Sequence, residues 1–229
     1  MIAIIPARGG SKRIPGKNIK LFFGKPIIAW VIENTLKSGL FSTVFVSTDN
    51  EEIAAIAKQY GAEVPVLRST ENSDDFATTS DVLLEVLDYL SDQGRSVDTA
   101  CCIYPTSVLL TPEDLIAAHK QITANQAPVL LACVAYSHPV QRGFTIHNNQ
   151  VKLQFPQYIH SRSQDLEKVY HDTGSFYFFR VTNFLAEKTL WQEQVTPFIL
   201  DERKIQDIDT EEDWLLAELK FKLKQNEEL

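Results

Sequence analysis

Between Ile2 and Asn18 the sequence runs IAIIPARGGSKRIPGKN, an apolar run followed by a glycine-bearing loop with Arg8, Lys12, Arg13 and Lys17. The whole chain carries a formal net charge of −8, so this cluster of cations is a local reversal of sign. A strand, a glycine-containing loop and a helix, in that order, present backbone N–H groups to phosphate. Neither common phosphate loop is present, however. Ser11 precedes Lys12 where a Walker loop needs Gly-Lys-Ser/Thr, and the G-x-G-x-x-G spacing is missing. The basic side chains must therefore carry more of the neutralisation than the backbone. Gly9 and Gly10 are expected to supply positive φ and a close approach to the ligand. A solvated turn is the alternative, but placement after the first strand favours an anion. A triphosphate, with about four negative charges, is the load that Arg and Lys clamps of this kind stabilise.

The second constellation is QDIDTEEDW, in which Ile208 separates Asp207 from Asp209. On an extended segment, residues i and i+2 share a face. Two carboxylates there form a hard-oxygen site suited to Mg²⁺, which keeps several waters and bridges to phosphate. Capping is the competing role: Asp209 or Thr210 is a natural N-cap, with Glu212 or Asp213 completing a capping box.

The elements that must position these groups read as alternating strands and helices. IAII and TVFVS (43–47) are β-branched runs, and between them Ile28, Ile32 and Leu36 recur at helical spacing until Gly39. Asn50 caps a second helix, which Gly61 ends. A third helix is expected over about 79–92, feeding DTACCIY, and a fourth over about 112–124, opened by Thr111-Pro112 and feeding VLLACVA. Near-continuous apolar strands alternating with helices imply a mainly parallel, Rossmann-like α/β sheet with helices on both faces. Ligands then bind beyond the carboxyl ends of the strands, where loops begin at Pro6, Thr48, Tyr104 and Ser137. From 137 to 172 the pattern breaks into mixed aromatic and polar residues, with Asn148-Asn149 as a hairpin turn. A strand, SFYFFRV, and a helix from about 210 follow, giving one domain over 1–229 with 137–172 as an inserted arm.

The bulk numbers narrow the class. The 229 residues can bury one sizeable core, and 44% hydrophobic with 23% charged content is ordinary for a globular protein. The acidic balance argues against nucleic-acid binding, and no apolar run reaches the roughly 20 residues of a membrane span. Cys101, Cys102 and Cys133 suit buried thiols, and the five histidines lack metal-ligand spacing. With no apolar leader visible, a reducing cytoplasm is the expected compartment.

ARGGSKRIPGKN resembles the signature of the CMP-sugar-acid synthetases, cytidylyltransferases acting on nonulosonic acids and 3-deoxy-manno-octulosonate. The resemblance covers nearly the whole chain. It implies that Arg8, Ser11, Lys17 and Asn18 contact the phosphates and cytosine of CTP, with Gly9 and Gly10 beside them. It also implies that Asp207 and Asp209 are the magnesium ligand pair. Arg68 and Ala77-Thr78-Thr79 resemble the nucleotide-side loop, although Thr78 to Ser80 could equally cap a helix. In neuraminate-activating relatives the run matching Tyr104-Pro105-Thr106-Ser107 begins with Gln, so Tyr104 is a departure on the sugar side. A sugar acid brings a carboxylate, for which Arg142 and Arg162 are candidates for a two-bond grip. Gln164 and Asp165 would meet hydroxyl or acylamino groups, unless Arg162 and Asp165 simply pair on the surface. R-S-Q-D-L-E and Y-H-D-x-G-x-F-Y look closer to the pseudaminic acid branch than to the neuraminate one. His171 could contact substrate or act as a base.

The expected reaction is thus attack by the anomeric hydroxyl of a free sugar acid on CTP, giving a CMP-sugar and pyrophosphate, with Mg²⁺. By likeness, the arm would dimerise the chain and reach toward the neighbour's site. A non-catalytic nucleotide-binding protein is the reading from another class, but it has no need of the Asp207–Asp209 pair. A glycosyltransferase would also use an aspartate pair, typically mid-chain.

Overall fold

Ile2, Ala3, Ile4 and Ile5 are all buried, as a strand covered on both faces requires. They form β1 (Ile2–Pro6) in the computed structural model, which describes residues 1–74 and 76–227. The basic loop follows, then a minimal hairpin of β2 (Leu21–Phe22) and β3 (Lys25–Pro26), then α1 (Ile27–Lys37) and β4 (Thr43–Ser47). Next come α2 (Glu51–Gln59), α3 (Thr79–Asp92), β5 (Thr99–Ile103), α4 (Pro112–Asn125) and β6 (Val129–Ala135). The arm carries β7 (Phe144–His147) and β8 (Gln150–Leu153). The chain returns through β9 (Tyr170–Arg180) and ends with α5 (Val181–Glu187), β10 (Val195–Ile199) and α6 (Glu211–Glu227).

The six-stranded sheet has the order β10-β6-β9-β5-β1-β4. β4, β1 and β5 are mutually parallel, as are β10 and β6, while β9 runs antiparallel to both β5 and β6. The direction of β9 follows from the arm. β6 ends at the carboxyl edge of the sheet, the arm occupies that edge, and the returning strand descends without a crossover helix. β9 begins at Tyr170, inside the stretch expected to belong to the arm, so His171 and Asp172 pair with Val134 and Cys133 of β6. The Asn148-Asn149 turn joins β7 and β8, with φ of 49° and 63°, the left-handed pair of a two-residue hairpin.

Alternating strand residues feed two cores. Ala3, Ile5, Cys101 and Ile103 face α1, α2, α4 and α6; Ile2, Ile4, Ala100 and Cys102 face α3 and α5. Helices thus cover both faces, as the patterning implied. Asn50 caps α2 by accepting from the Ile53 N–H, and capping boxes open α3 (Thr78 with Asp81) and α4 (Thr111 with Asp114). Asp114 has a second task. Its carboxylate accepts from Thr111 Oγ1 at 2.9 Å and from Lys204 Nζ at 2.6 Å, tying α4 to the turn just before Asp207. Lys220 of α6 secures the same turn by donating to Ile205 O at 2.7 Å.

Asp114→Ala removes a cap and an ion pair together, and is expected to lower stability in urea unfolding by about 1–2 kcal/mol. Thr111→Ala, which spares the Lys204 pair, should cost less.

Candidate active site

β1 lies between β4 and β5, so the chain winds outward in both directions from it, and the crevice opens at the carboxyl ends of these strands. A cleft of about 460 Å³ occupies that place. Its walls come from two of the four loops expected from patterning, after Pro6 and at Tyr104, and from the segment around Arg68 that leads into α3. The loops beginning at Thr48 and Ser137 do not line it.

The basic loop forms one wall. Arg8, Ser11, Lys17 and Asn18 all line the cleft, and so do Lys12, Arg13 and Ile14. Local bonding sets the loop's course. Ala7 N donates to Ser47 O, the Gly9 N–H donates to Asp49 Oδ1 at 2.7 Å, and Asn18 Nδ2 donates to Arg8 O at 2.9 Å. Asn18 is only 5% exposed, and its Oδ1 has no protein partner among the described residues. It is an acceptor open to a ligand donor. The glycines work differently from the expectation. Neither Gly9 nor Gly10 has positive φ or lines the cleft; the left-handed residue is Gly16, at φ 63°. Gly9 is required because a Cβ there would stand 2.9 Å from Asn50 Cβ, so its absence lets the loop settle on the start of α2.

The opposite wall comes from the loop before α3. Ala77, Thr78 and Thr79 line the cleft with Arg68, Asn72 and Asp74. Thr78 is the N-cap, and Thr79 instead turns its Oγ1 to Tyr104 Oη at 2.6 Å. Arg68 is buried, with Nε 3.0 Å from Ser47 Oγ and Nη2 2.5 Å from Ser47 O. Burial lowers its pKa, with Asp49 and Glu85 opposing. Tyr104 closes the cleft floor beside Tyr177, at a centroid distance of 6.1 Å. Burial pushes the Tyr104 phenol well up, so it stays a neutral hydroxyl. Tyr177 in turn donates to Asp172 Oδ2.

Asp207 and Asp209 approach from the far end of the chain. Ile208 between them is fully buried, which leaves the two aspartates on either side of it turned outward. Capping of α6 falls to Thr210 with Asp213: Thr210 Oγ1 lies 3.2 Å from the Asp213 N–H, and Asp213 Oδ2 accepts from Thr210 N at 2.8 Å. The Asp209 carboxylate is thereby left for the basic loop. Its Oδ1 is 2.7 Å from Arg13 Nη2 and 3.6 Å from Lys17 Nζ, while Lys17 Nζ donates to Ile208 O at 2.6 Å. Asp207 faces a smaller recess that shares Thr106 with the cleft. Its carboxyl is pushed above the usual range by desolvation and then by the charge of Asp209, with Lys17 and Arg13 pulling the other way. Two hard carboxylates whose charges resist each other fit a divalent cation. Among the described residues no cluster of three or more His, Cys, Asp or Glu side chains could hold an ion without help from a ligand.

The residues expected on the sugar side divide. Tyr104 lines the cleft; His171 does not, and sits at the start of β9, its ring 4.6 Å from that of Tyr136 and its Nδ1 2.9 Å from Asp172 O. Arg142, Arg162, Gln164 and Asp165 lie on the arm and do not line the cleft of their own chain. Arg142 Nη2 donates to Ser161 O at 2.5 Å. Arg162, 73% exposed, pairs with Asp165 through Nε at 2.7 Å. Sequence reasoning passed over Asn72, Asp74 and Thr106. Thr106 stood in the Y-P-T-S run, but Asn72 and Asp74 carried no signal beyond their polarity.

A basic cleft at the sheet's switch point, bordered by an acidic pair, is suited to a nucleoside polyphosphate and a divalent cation, the business of a nucleotidyltransferase. Residues 2–226 match the family model described as cytidylyltransferase, and the chain belongs to that family. It is 41% identical to the pseudaminic acid cytidylyltransferase of Campylobacter jejuni, over 97% of this chain and 96% of that one. It is 34% identical to the CMP-N,N'-diacetyllegionaminic acid synthase of Legionella pneumophila, over 98% and 97%. A solved CMP:2-keto-3-deoxy-manno-octonic acid synthetase complexed with CTP matches with a TM-score of 0.68 at 19% identity, covering 98% of each chain; it shares the fold.

The raised Asp207 carboxyl sets a sign. Between the ordinary value of 3.8 and its raised one, the folded chain binds more protons than the unfolded chain, so stability falls as pH rises through that window. Asp207→Asn is therefore expected to raise the melting temperature of the ligand-free protein at pH 7 and flatten its slope above pH 4, while abolishing activity. Melting curves taken with chelator across that range check it.

Proposed function

We propose that the chain transfers CMP from CTP to a free nine-carbon sugar acid, pseudaminic acid foremost, with release of pyrophosphate. The observation that carries this reading is the basic wall of the cleft facing the Asp207–Asp209 pair, and the full-length identity to the Campylobacter relative points to the sugar. The anomeric oxygen would attack the α-phosphorus in line, the bond to the bridging oxygen would break, and the hydroxyl proton would be lost. Arg8, Lys12 and Lys17 neutralise the triphosphate and the charge that develops on leaving pyrophosphate. Ser11 and Asn18 add hydrogen bonds, and Arg68 with Ala77 and Thr79 shape the nucleoside side. Asp207 and Asp209 would hold Mg²⁺, which supplies charge neutralisation at the phosphates. The reaction is then mostly positioning and electrostatics.

The sugar carboxylate needs a cation that the phosphate clamp does not consume. Arg142 and Arg162 are suited to it, and both stand on an arm whose Phe144, Ile146, Val151 and Ile159 are exposed. A second copy covering that face would bury these side chains and could bring the arm to the neighbouring cleft, so a homodimer is part of the proposal. No helix among the described residues is long and apolar enough to cross a membrane, and the three cysteines are free and buried, which supports a reducing cytoplasm. The Legionella relative favours a second reading, N,N'-diacetyllegionaminic acid as acceptor, at lower identity. N-acylneuraminate is the remaining nine-carbon alternative.

Pyrophosphate release, measured with CTP and Mg²⁺ against free nonulosonic acids and one sugar 1-phosphate, is expected with pseudaminate and absent with the phosphate. Release with legionaminate or neuraminate instead would keep the reaction and overturn the sugar. Arg162→Ala should raise the KM for the sugar acid by roughly tenfold, the loss of a charge-assisted bond, while CTP affinity holds. An equal loss for both substrates would remove Arg162 from the sugar side.

A further inference from the structure

Arg13 stands on the loop between β1 and the turn at Gly16, and its side chain is 68% exposed. An exposed arginine gains little from a surface ion pair unless the partner is well placed. Here the partner is a carboxylate assigned above to a cation. Arg13 Nη2 approaches Asp209 Oδ1 at 2.7 Å, and Lys17 Nζ stands 3.6 Å from the same oxygen. Asp209 is thus neutralised by side chains that also line the cleft. A divalent ion arriving alone would meet Asp207 and an Asp209 already held by Arg13. No further His, Cys, Asp or Glu completes a cluster of three among the described residues.

A triphosphate changes the competition. It brings about four negative charges into a cleft whose wall includes Arg13, against the single charge of Asp209. Guanidinium groups also grip phosphate through two parallel N–H bonds, a geometry that the single close contact to Asp209 Oδ1 does not use. We propose that Arg13 is an interlock: it occupies Asp209 in the free protein and transfers to the phosphates when CTP enters, so that the divalent cation is accepted only together with the nucleotide. This rests on the reading of Asp207 and Asp209 as the cation's ligands. The consequence is an order of assembly. The nucleotide, or its metal complex, binds first, and the free protein stays poorly loaded with metal.

The test is a titration of nucleotide-free protein with Mn²⁺, read from the electron paramagnetic resonance signal of the free ion. The expected result is weak binding by the wild type and roughly fivefold tighter binding by Arg13→Ala, the upper range for removal of an exposed pair. The gain should vanish in the Arg13→Ala/Asp209→Asn double variant. In parallel, calorimetry without metal should show CTP binding several-fold weaker to Arg13→Ala. Tighter metal with weaker nucleotide is a pattern that general damage to the loop would not give, since damage weakens both. If Arg13→Ala binds Mn²⁺ no better than wild type while Asp209→Asn still weakens it, the interlock is overturned and the cation reading stands. Unchanged CTP affinity would also overturn it, because Arg13 would then not move to the phosphates. If neither Asp207→Asn nor Asp209→Asn alters Mn²⁺ binding in the Arg13→Ala background, the cation reading falls and takes the interlock with it.

Discussion

Lys17 and Ile208 are 191 positions apart, and the bond between Lys17 Nζ and the Ile208 carbonyl closes the chain on itself. The site depends on that closure. The basic loop leaves the first strand and the acidic pair precedes the last helix, so neither can act until α6 is docked. Docking is apolar first. Trp214 and Phe221 pack edge-on against Phe22 of the minimal hairpin, at centroid distances of 5.6 and 5.2 Å. Lys20 adds an ion pair to Glu211 at 2.6 Å and lies over the Trp214 ring. Burial of Ile208 then turns Asp207 and Asp209 outward. The charged pairs at this junction are partly exposed and contribute little by themselves. The packing beneath them brings the charges together, and the charges determine what the crevice can hold.

The second constraint is the antiparallel β9. Because the arm sits at the carboxyl edge of β6, the chain must re-enter the sheet from the end where the cleft opens. This places the start of β9 beside the Tyr104–Ser107 turn: Tyr104 N donates to Ser175 O, and Ser107 Oγ donates to the same oxygen at 3.0 Å. The floor of the site, with Tyr104, Tyr177 and Asp172, is thus assembled by a strand whose direction the arm dictates. The arm serves the fold before it serves any substrate.

Asp207 and its neighbours illustrate a familiar trade. Like charges side by side, a carboxyl held above its ordinary range and an orphan acceptor on Asn18 each cost the ligand-free fold something. All three lie at the cleft or its recess, where a cation and a nucleotide would relieve them. Away from the site the chain is locally consistent, with capping boxes where sequence and helix period agree.

Most strands and helices, their caps and the Asn148-Asn149 turn were legible because each is set by neighbours in sequence: apolar period, β-branching and side chains within three residues of a helix start. The short β2, β3 and α5 and the edge strand β10 carried too little of that pattern to be read. The basic loop and the D-x-D pair were legible as chemistry, since charge density and spacing do not need a fold to be noticed. At the site, three things were not legible. One was the part played by Gly9, whose reason is a close contact with Asn50, not its own φ. Another was the freeing of Asp209 from capping, since Thr210 and Asp213 satisfy the helix by themselves. The third was the contact of Arg13 with Asp209. Each of these depends on atoms far apart in sequence approaching within a few ångströms, and only the docking of α6 and the winding of the sheet about β1 determine which residues meet. By itself the sequence determined most of the elements and the kind of chemistry; the tertiary structure decided which charges face one another.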